Sequence, residues 1–251
     1  MEVLLFTLYA PVAAYGDHGA RTSRRGSWAR PTRTATLGLV AAALGIERSA
    51  HEDHLGLHEG LGFAVRVDGT GASLTDYHTF QVGFGDHLQV TRMRADELRG
   101  GTKTTITHRE YRTDSLHTVG LWKRGNGSWN LDQICAAIQR PHWVLYLGRR
   151  CCVPALPLMP VIVDAENIPA AFEVRPPLAD GITATDLGVR LDPYPILAAD
   201  VGAPGVAASR VEQRRDGYHY TSGDLRTYVD RQEWIMDLPR RRQDHMAEEE
   251  I

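Results

Sequence analysis

Hydrophobic and polar positions along the first 150 residues recur with periods that predict an ordered mixture of strands and helices. Phe63 to Asp68 alternates as a strand does, whereas Leu131, Ile134 and Ile138 share one face of a helix. We predict strands at 3–9, 63–68, 73–81, 102–113, 116–122 and 142–147, helices at 31–45 and 131–140, and a short exposed helical turn at 52–59. This order of strand, helix, strands with a hairpin, strand, helix and strand indicates an α+β, ferredoxin-like (RRM-like) domain.

Residues 82–101, between two of the predicted strands, differ from the rest of this region. They contain glycines, mixed charge and only scattered apolar positions. We therefore predict a long protruding β-hairpin, a thumb that covers about residues 80–104. Loops of this length within a compact domain usually serve a function.

Beyond Cys152 the pattern changes to prolines and short strand-like pieces. The pieces lie at 171–175, 209–214 and 227–235, and the stretch 176–208 is rich in Pro, Gly and Asp, which is typical of loops. We predict a ferredoxin-like domain at 1–150, a small, mostly β C-terminal part at 151–239 and a flexible tail at 240–251.

Charge is divided unevenly between these parts. The 251 residues carry a net charge of −3, which taken alone argues against nucleic acid as a partner. Residues 1–150 hold 18 Lys and Arg against 14 Asp and Glu, a net charge of +4, and residues 151–251 hold 10 against 17, a net charge of −7. This split indicates a basic part that faces a polyanion and an acidic part that faces protein.

Other functional classes find little support in the sequence. Three cysteines cannot form a disulfide framework and lack zinc-like spacing, and the longest apolar run, 37–46, is too short to span a bilayer. His51, His54 and His58 share a helical face, which we expect to be solvated rather than to bind a metal. The first residues lack the features of a signal peptide. We therefore expect a cytoplasmic protein with no membrane contact, no metal and no cofactor.

The loop between the first strand and the first helix is rich in arginine. Residues 10–33 hold one acidic residue, Asp17, and five arginines: Arg21, Arg24, Arg25, Arg30 and Arg33. A guanidinium group bonds phosphate through two parallel N–H donors. This loop is therefore a candidate phosphate-binding segment.

The stretch 108–111 is a second candidate. On a strand, Arg109 and Tyr111 point to one side, and His108 and Glu110 point to the other. An arginine beside a tyrosine on a sheet face is an arrangement that holds a phosphate and stacks a base. The alternative is a tyrosine packed in the core and an arginine paired with Glu110 on the surface. The residues alone leave both interpretations open.

Two further segments extend the candidate set. Tyr77 and His78 repeat the mixture of aromatic and basic groups at the near side of the hairpin, and with His108 they also offer acid and base groups for RNA cleavage. Residues 146–150, Tyr-Leu-Gly-Arg-Arg, end the last predicted strand of the first domain. A glycine there lets the backbone approach a ligand closely, and Arg149 and Arg150 supply phosphate donors.

Several blocks of the sequence, taken in order, resemble a known family. The blocks are Ala10–Pro11, Ala14–Tyr15–Gly16, Arg30–Pro31–Thr32–Arg33, Leu37–Gly38–Leu39, Leu44–Gly45–Ile46–Glu47–Arg48, Asp76–Tyr77–His78–Thr79, Arg109–Glu110–Tyr111, Val119–Gly120–Leu121–Trp122, Tyr146–Leu147–Gly148–Arg149–Arg150–Cys151–Cys152 and Arg231–Gln232–Glu233–Trp234. The chain resembles the CasD-like subunits of the RAMP superfamily, which cap the 5′ handle of the guide RNA in type I-E Cascade complexes of CRISPR systems.

The resemblance implies a non-catalytic guide RNA (crRNA) binding subunit that caps the 5′ handle, kinks the guide with its thumb and supports recognition of target DNA in antiviral defence. The implied neighbours are a repeating backbone subunit and a large subunit. The expected RNA contacts are Arg24, Arg25, Arg33, Tyr77, His78, Lys103, Arg109, Tyr111, Tyr146, Gly148, Arg149 and Arg150. The alternative function is a metal-independent endoribonuclease that processes precursor guide RNA.

Overall fold

The computed structural model describes residues 1–16, 24–83, 102–125, 127–174, 178, 181–220 and 226–240. Residues 84–101 of the predicted hairpin tip, Arg21 of the arginine-rich loop and all but the first residue of the predicted tail lie outside these described residues. Within them, no helix is long and apolar enough to cross a membrane.

The described residues form a mixed α/β architecture with a mostly antiparallel sheet and few helices. The strands are β1 Glu2–Ala13, β2 Arg24–Arg25, β3 Leu61–Gly69, β4 Ala72–Gly83, β5 Thr102–Lys123, β6 Val161–Asp164, β7 Ile196–Asp200, β8 Arg210–Tyr220 and β9 Arg226–Asp237. The helices are α1 Arg33–Leu44, α2 His51–Gly60, α3 Leu131–Gln139 and α4 Ile168–Val174. The sheet runs in the order β6-β1-β5-β3-β7-β9-β8, and β2 and β4 pair with β5 outside this path.

The predicted strands 102–113 and 116–122 are one continuous strand, β5, of 22 residues. Its inner half pairs with β1 and β3, and its outer half pairs with β4 from Thr113 to Thr102. Asp114, at φ 52, marks the junction of the two halves. The strand continues through this point because each half finds a partner for its backbone groups.

Local sequence signals fix the ends of the two principal helices. The Thr32 side chain accepts a hydrogen bond from the Ala35 amide at the start of α1, and Gly45, at φ 77, ends it. At the start of α3, Asn130 and Gln133 form a capping box. Both predicted helices are therefore confirmed, with bounds that shift by one or two residues.

The sheet has a core on each face. On one face, α1 and α3 cover Leu4, Phe6, Phe63 and Leu121. On the other face, Phe172 of α4 packs against apolar side chains of β1, β3 and β7. A side chain at Gly120 would lie 2.7 Å from the Phe172 ring, so this approach of helix and sheet requires glycine.

Two of the predicted strands are wrong. Residues 142–147 form no ladder, because Leu145 and Leu147 pack into the core on the α1 side instead of joining the sheet. Of the predicted strand 171–175, residues 171–174 lie in α4 and residue 175 lies outside the described residues. The Asn167 side chain accepts a hydrogen bond from the Ala170 amide in the first turn of this helix.

The C-terminal strands continue the sheet beyond β3. The strands predicted at 209–214 and 227–235 are confirmed as parts of β8 and β9. The stretch predicted as loop also contains β7, which pairs with β3 on one side and β9 on the other. Its Leu-Ala-Ala-Asp sequence is buried throughout, so it carries no polar and apolar alternation to detect.

Gly148 allows the chain before Arg149 to lie against the end of β1. The Ala14 amide donates to the Leu147 carbonyl at 3.0 Å, and the Cys152 amide donates to the Arg149 carbonyl at 2.8 Å. Gly148 has φ 86, and a Cβ atom on it would lie 1.7 Å from the Ala14 carbonyl oxygen. Only glycine therefore fits, and its fit determines where the next residue, Arg149, begins.

His117 is fully buried on β5, with its ring edge against Tyr15 at a centroid distance of 5.4 Å. Neither ring nitrogen has a hydrogen-bond partner among the described residues. Burial lowers the pKa of His117 from 6.5 to about 3, and the nearby charges of Arg30 and Arg112 act in the same direction. The imidazole is therefore neutral in the folded protein at any pH above that value.

The low pKa of His117 predicts a loss of stability in acid. Below pH 6.5 the His117 imidazole binds a proton in the unfolded chain, whereas in the folded protein it stays neutral down to a pH of about 3. The free energy of unfolding then falls by about 1.4 kcal/mol for each pH unit within that window. Urea titrations of the native protein and His117→Phe at pH 7 and pH 5 measure this: the native protein should lose more stability. An equal loss in both proteins would contradict the assignment.

The fit of Gly148 predicts a second effect on stability. Gly148→Ala introduces both a strained φ and a collision with Ala14, whereas Gly181, at φ 79, has nothing within 4 Å of a Cβ atom. Gly181→Ala should lower the free energy of unfolding by about 1 kcal/mol, and Gly148→Ala should lower it by at least about 2 kcal/mol more. Chemical denaturation of the two variants compares them directly. Equal losses of unfolding free energy in the two variants would show that the close approach of Gly148 to Ala14 does not contribute to stability.

Candidate nucleic-acid interface

The β4–β5 ladder has two distinct faces, which its register defines. Residues directly opposite each other in an antiparallel pair share a face. Leu74 lies opposite Tyr111 and Asp76 opposite Arg109, whereas Tyr77 lies opposite His108. We call these the Arg109 face and the His108 face. The Arg109 face consists of Leu74, Asp76, His78, Phe80, Val82, Lys103, Thr105, Thr107, Arg109 and Tyr111.

Arginines from three separate segments meet on the Arg109 face. Arg25 of β2 lies beside Arg109 in a parallel pairing. The Arg149 guanidinium carbon lies 4.2 Å from the centre of the Tyr111 ring, and its Nη2 donates to the Arg25 carbonyl at 3.4 Å. A cation held over a tyrosine ring is stabilised by the ring's quadrupole. The fold thus brings together Arg25, Arg109, Arg149 and Tyr111.

The charge on this face is mainly positive. Lys103 is exposed, and Arg109 and Arg149 are half-buried; Arg150, which follows Arg149 in the sequence, is exposed. Among the described residues of this face Asp76 is the only acid, and its carboxylate contacts Nε2 of His78. Partly desolvated arginines with a single nearby carboxylate favour the approach of an anion.

Tyr111 does not have the open ring that stacking with a base would require. It is only 7% exposed and belongs to the core on the α1 side. One side of its ring also carries the Arg149 guanidinium. Tyr111 therefore supports Arg149 rather than offering an open ring for a base, so one half of the alternative interpretation, the tyrosine packed in the core, holds.

The His108 face carries two of the predicted site residues, and its described charges are Arg24 and Arg112 against Glu110. Arg24 Nε donates to Glu110 Oε1 at 2.8 Å, so the predicted surface ion pair forms with Arg24 and not with Arg109. Tyr77 is 57% exposed and its ring meets His108 edge-on at 5.5 Å. Arg24 and Tyr77 thus lie on the opposite side of the ladder from Arg109 and Tyr111.

Arg33 does not join either face. It is buried, and its guanidinium donates to Asp200 Oδ2 at 3.3 Å and to the Leu61 carbonyl at 2.7 Å, and it also contacts His58. Desolvation by burial lowers its pKa, although Asp200 opposes this. The predicted phosphate contact of Arg33 is corrected to a structural role, because its donors point into the protein.

The remaining predicted residues lie near the Arg109 face or along it. Gly148 and the half-buried Tyr146 belong to the segment that positions Arg149, and His78 and Lys103 follow β4 and β5 outward. The sequence analysis missed Phe80, which is 45% exposed on the same face as His78. The two-residue spacing from His78 is the signal that would have found it.

Comparison with known proteins identifies the same architecture elsewhere. A solved structure titled "CRISPR RNA-guided surveillance complex" contains a chain that matches with a TM-score of 0.64 at 24% identity, over 94% of this chain and 89% of that one. A "Crystal structure of Cas protein" matches with a TM-score of 0.54 at 22% identity, over 95% of both chains. These likenesses show the fold.

Sequence comparison extends this to the family. The protein "CRISPR system Cascade subunit CasD" of Escherichia coli (strain K12) is 34% identical over 160 residues, which are 62% of this chain and 68% of that protein. The family model "CRISPR-associated protein (Cas_Cas5)" matches residues 3–236. The resemblance found in the sequence is confirmed: the chain belongs to the CRISPR-associated Cas5 family.

Proposed function

We propose that the protein is a guide RNA-binding subunit of a Cascade-type CRISPR effector complex. The observation that carries the proposal is the cluster of Arg25, Arg109 and Arg149 on one face of the β4–β5 ladder. Phosphate contacts position a nucleic acid on a protein, and arginine side chains are among the donors that make them. The relative named as a Cascade subunit and the likeness to a chain of an RNA-guided complex support the same assignment.

The strand order supports the predicted ferredoxin-like unit with a thumb. The path β6-β1-β5-β3, with α1 and α3 as crossover helices, is the arrangement of a split βαβ repeat whose last strand is β6. In this proposal β4 and the outer half of β5 are the base of the thumb, which pairs out to Gly83 and Thr102. In this proposal the unit extends to Asp164, beyond the division predicted near residue 150; that division and a flexible tail from 240 remain predictions.

The Arg109 face offers a path for the guide from the core to the thumb. The arginine cluster lies at its inner end, where we place the phosphates of the 5′ handle. His78, Phe80 and Lys103 continue the same face outward. Phe80 presents an exposed ring, on which a base displaced from the guide would stack. The thumb would then kink the guide where it leaves the handle.

The wider assembly follows from this assignment. We propose a repeating backbone subunit and a large subunit as neighbours, with target DNA close by through the complex, and we place the complex in the cytoplasm. The net charge of −7 in residues 151–251 favours protein neighbours for the C-terminal part. The protein would thus support RNA-guided recognition of DNA in antiviral defence.

We propose a non-catalytic role in preference to processing of precursor guide RNA. His78, His108 and Tyr77 are the candidate acid and base groups for cleavage. The register places His78 on the Arg109 face, whereas His108 and Tyr77 lie on the opposite face, away from the arginine cluster. Two groups on opposite sides of a ladder cannot act on one phosphodiester. His108 also packs against Tyr77, and His78 contacts Asp76.

The phosphate assignment predicts a change in the salt dependence of RNA binding. Arg149→Ala/Arg150→Ala should weaken binding of a single-stranded RNA with the repeat-derived 5′ end of the guide. Each lost phosphate contact should lower the slope of log affinity against log salt by about 0.7, because fewer counterions are released. Fluorescence anisotropy over a series of salt concentrations measures the slope.

Arg210→Ala is the matched control for that experiment. Arg210 is an exposed arginine on β8 whose partners are Glu212 and Asp237. Its removal should leave the slope unchanged. If Arg149→Ala/Arg150→Ala has the same salt slope as the native protein, the phosphate assignment is wrong.

The geometry of the two histidines predicts that the protein leaves precursor RNA intact. Repeat RNA incubated with the full chain in the presence of a chelator should show no specific product on a denaturing gel. His78→Ala and His108→Ala should look the same as the native protein. A discrete product that either substitution abolishes would favour the endoribonuclease.

A further inference from the structure

The carboxylate of Glu233 on β9 is fully buried and is surrounded by arginines. Its Oε2 accepts hydrogen bonds from Arg30 Nη2 at 2.8 Å and from Arg214 Nη1 at 3.3 Å, and its Oε1 accepts one from Arg231. A buried charge is stable only with such partners. Because these partners come from β8, β9 and the loop before α1, Glu233 ties that loop to the C-terminal strands.

Arg30 is the link between Glu233 and the arginine cluster. It is 8% exposed, and its Nη2 also donates to Glu212 Oε2 at 2.7 Å. Both of its acidic partners lie on C-terminal strands, and Arg30 lies five residues after Arg25 of the cluster. Contacts that fix the position of Arg30 therefore also restrict the short segment between Arg25 and Arg30.

The chain between Arg25 and Arg30 is fixed at intermediate points. The Tyr15 amide donates to Ser27 Oγ at 3.0 Å, and the Trp28 amide donates to the Tyr15 carbonyl at 2.8 Å. The guanidinium carbon of Arg214, the second donor to Glu233 Oε2, lies 4.6 Å from the centre of the Trp28 ring. Glu233 thus acts on residues 27–30 through two arginines: Arg30, which belongs to the segment, and Arg214, which packs against the Trp28 ring.

The strand that carries Arg25 needs such support. β2 consists of two residues, Arg24 and Arg25, which pair with β5 in parallel. A ladder of that length fixes little on its own, since each residue ordered costs conformational entropy. Besides the ion pair of Arg24 with Glu110 and the bond from Arg149 to the Arg25 carbonyl, the position of Arg25 therefore depends on what anchors the residues that follow it.

We propose that Glu233 is a positioning residue for the RNA site: through Arg30 and Arg214 it holds residues 27–30 and thereby sets Arg25 beside Arg149. The inference rests on the proposed function for its role in RNA binding. The positioning itself is a property of the protein without RNA, so the two are tested separately.

Hydrogen exchange of the RNA-free full chain tests the positioning. In Glu233→Gln the amide of Trp28 and its neighbours in 24–30 should exchange at least about tenfold faster, while the amides of the β4–β5 ladder keep their rates. Asp237→Asn is the matched control, because Asp237 also lies on β9 and also binds an arginine, Arg210, but on the surface. It should leave both segments unchanged. Unchanged exchange at 24–30 in Glu233→Gln would overturn the proposal.

A double-mutant cycle tests the consequence for RNA. Glu233→Gln and Arg25→Ala should each weaken binding of the same single-stranded RNA about five- to tenfold, and the double variant should be no weaker than either one. Glu233→Gln should also lower the salt slope by about 0.7, as the loss of one phosphate contact does. Additive losses would show that Glu233 acts on RNA binding independently of Arg25, which also overturns the proposal.

The outcomes separate failure of the inference from failure of the function. If Arg25→Ala binds RNA as well as the native protein, the proposed RNA site fails, while the exchange measurement still decides whether Glu233 positions the segment. If Glu233→Gln does not fold, Arg30→Lys replaces it. That variant keeps the charge, but a lysine ammonium replaces the guanidinium whose Nη2 donates to both Glu212 and Glu233, so a smaller change in the same direction is expected.

Discussion

Backbone pairing along β5 is the constraint on which the described structure depends. The 22 residues of this strand bond to β1 and β3 in the core and to β4 outside it, and β2 joins at the level of His108 and Arg109. The inner half is buried while the outer half is partly exposed. Because one strand runs through both, the packing of the core fixes the direction in which Arg109 and its neighbours face. A site built on such a strand is held more rigidly than one built on a loop.

The sequence was most informative where a period or a cap acts locally. The 3.6-residue period predicted α3, and alternation placed Arg109 and Tyr111 on one side and His108 and Glu110 on the other. It failed where the deciding contact is distant. The face on which Tyr77 lies depends on the register between β4 and β5, which no local pattern contains. Likewise β7 is short and buried on both sides, so its residues carry no alternation.

The uneven charge along the sequence has a partly internal explanation. Asp200 and Glu233 belong to the acidic C-terminal part, but both are buried and bind arginines, among them Arg30 and Arg33 of the basic part. Some of the acidic and basic residues of the two parts therefore pair with each other inside the protein and are not available to an outside partner. This explains why Arg33, although it lies in an arginine-rich loop, is absent from the candidate interface. Counting charges along a chain cannot separate an arginine that faces solvent from one that neutralises a buried acid.

The two unlike faces of the β4–β5 ladder restrict how this hairpin can change in evolution. Side chains alternate along each strand, so an insertion or deletion of one residue between the core and the outer ladder exchanges the faces. Arginine and phenylalanine would then turn to the side that now carries Glu110 and Tyr77. Changes of two residues, or changes confined to the turn, preserve both faces. Among relatives, insertions and deletions should therefore occur mainly at the tip of the hairpin. Where β4 or the outer half of β5 differs in length, the difference should be an even number of residues.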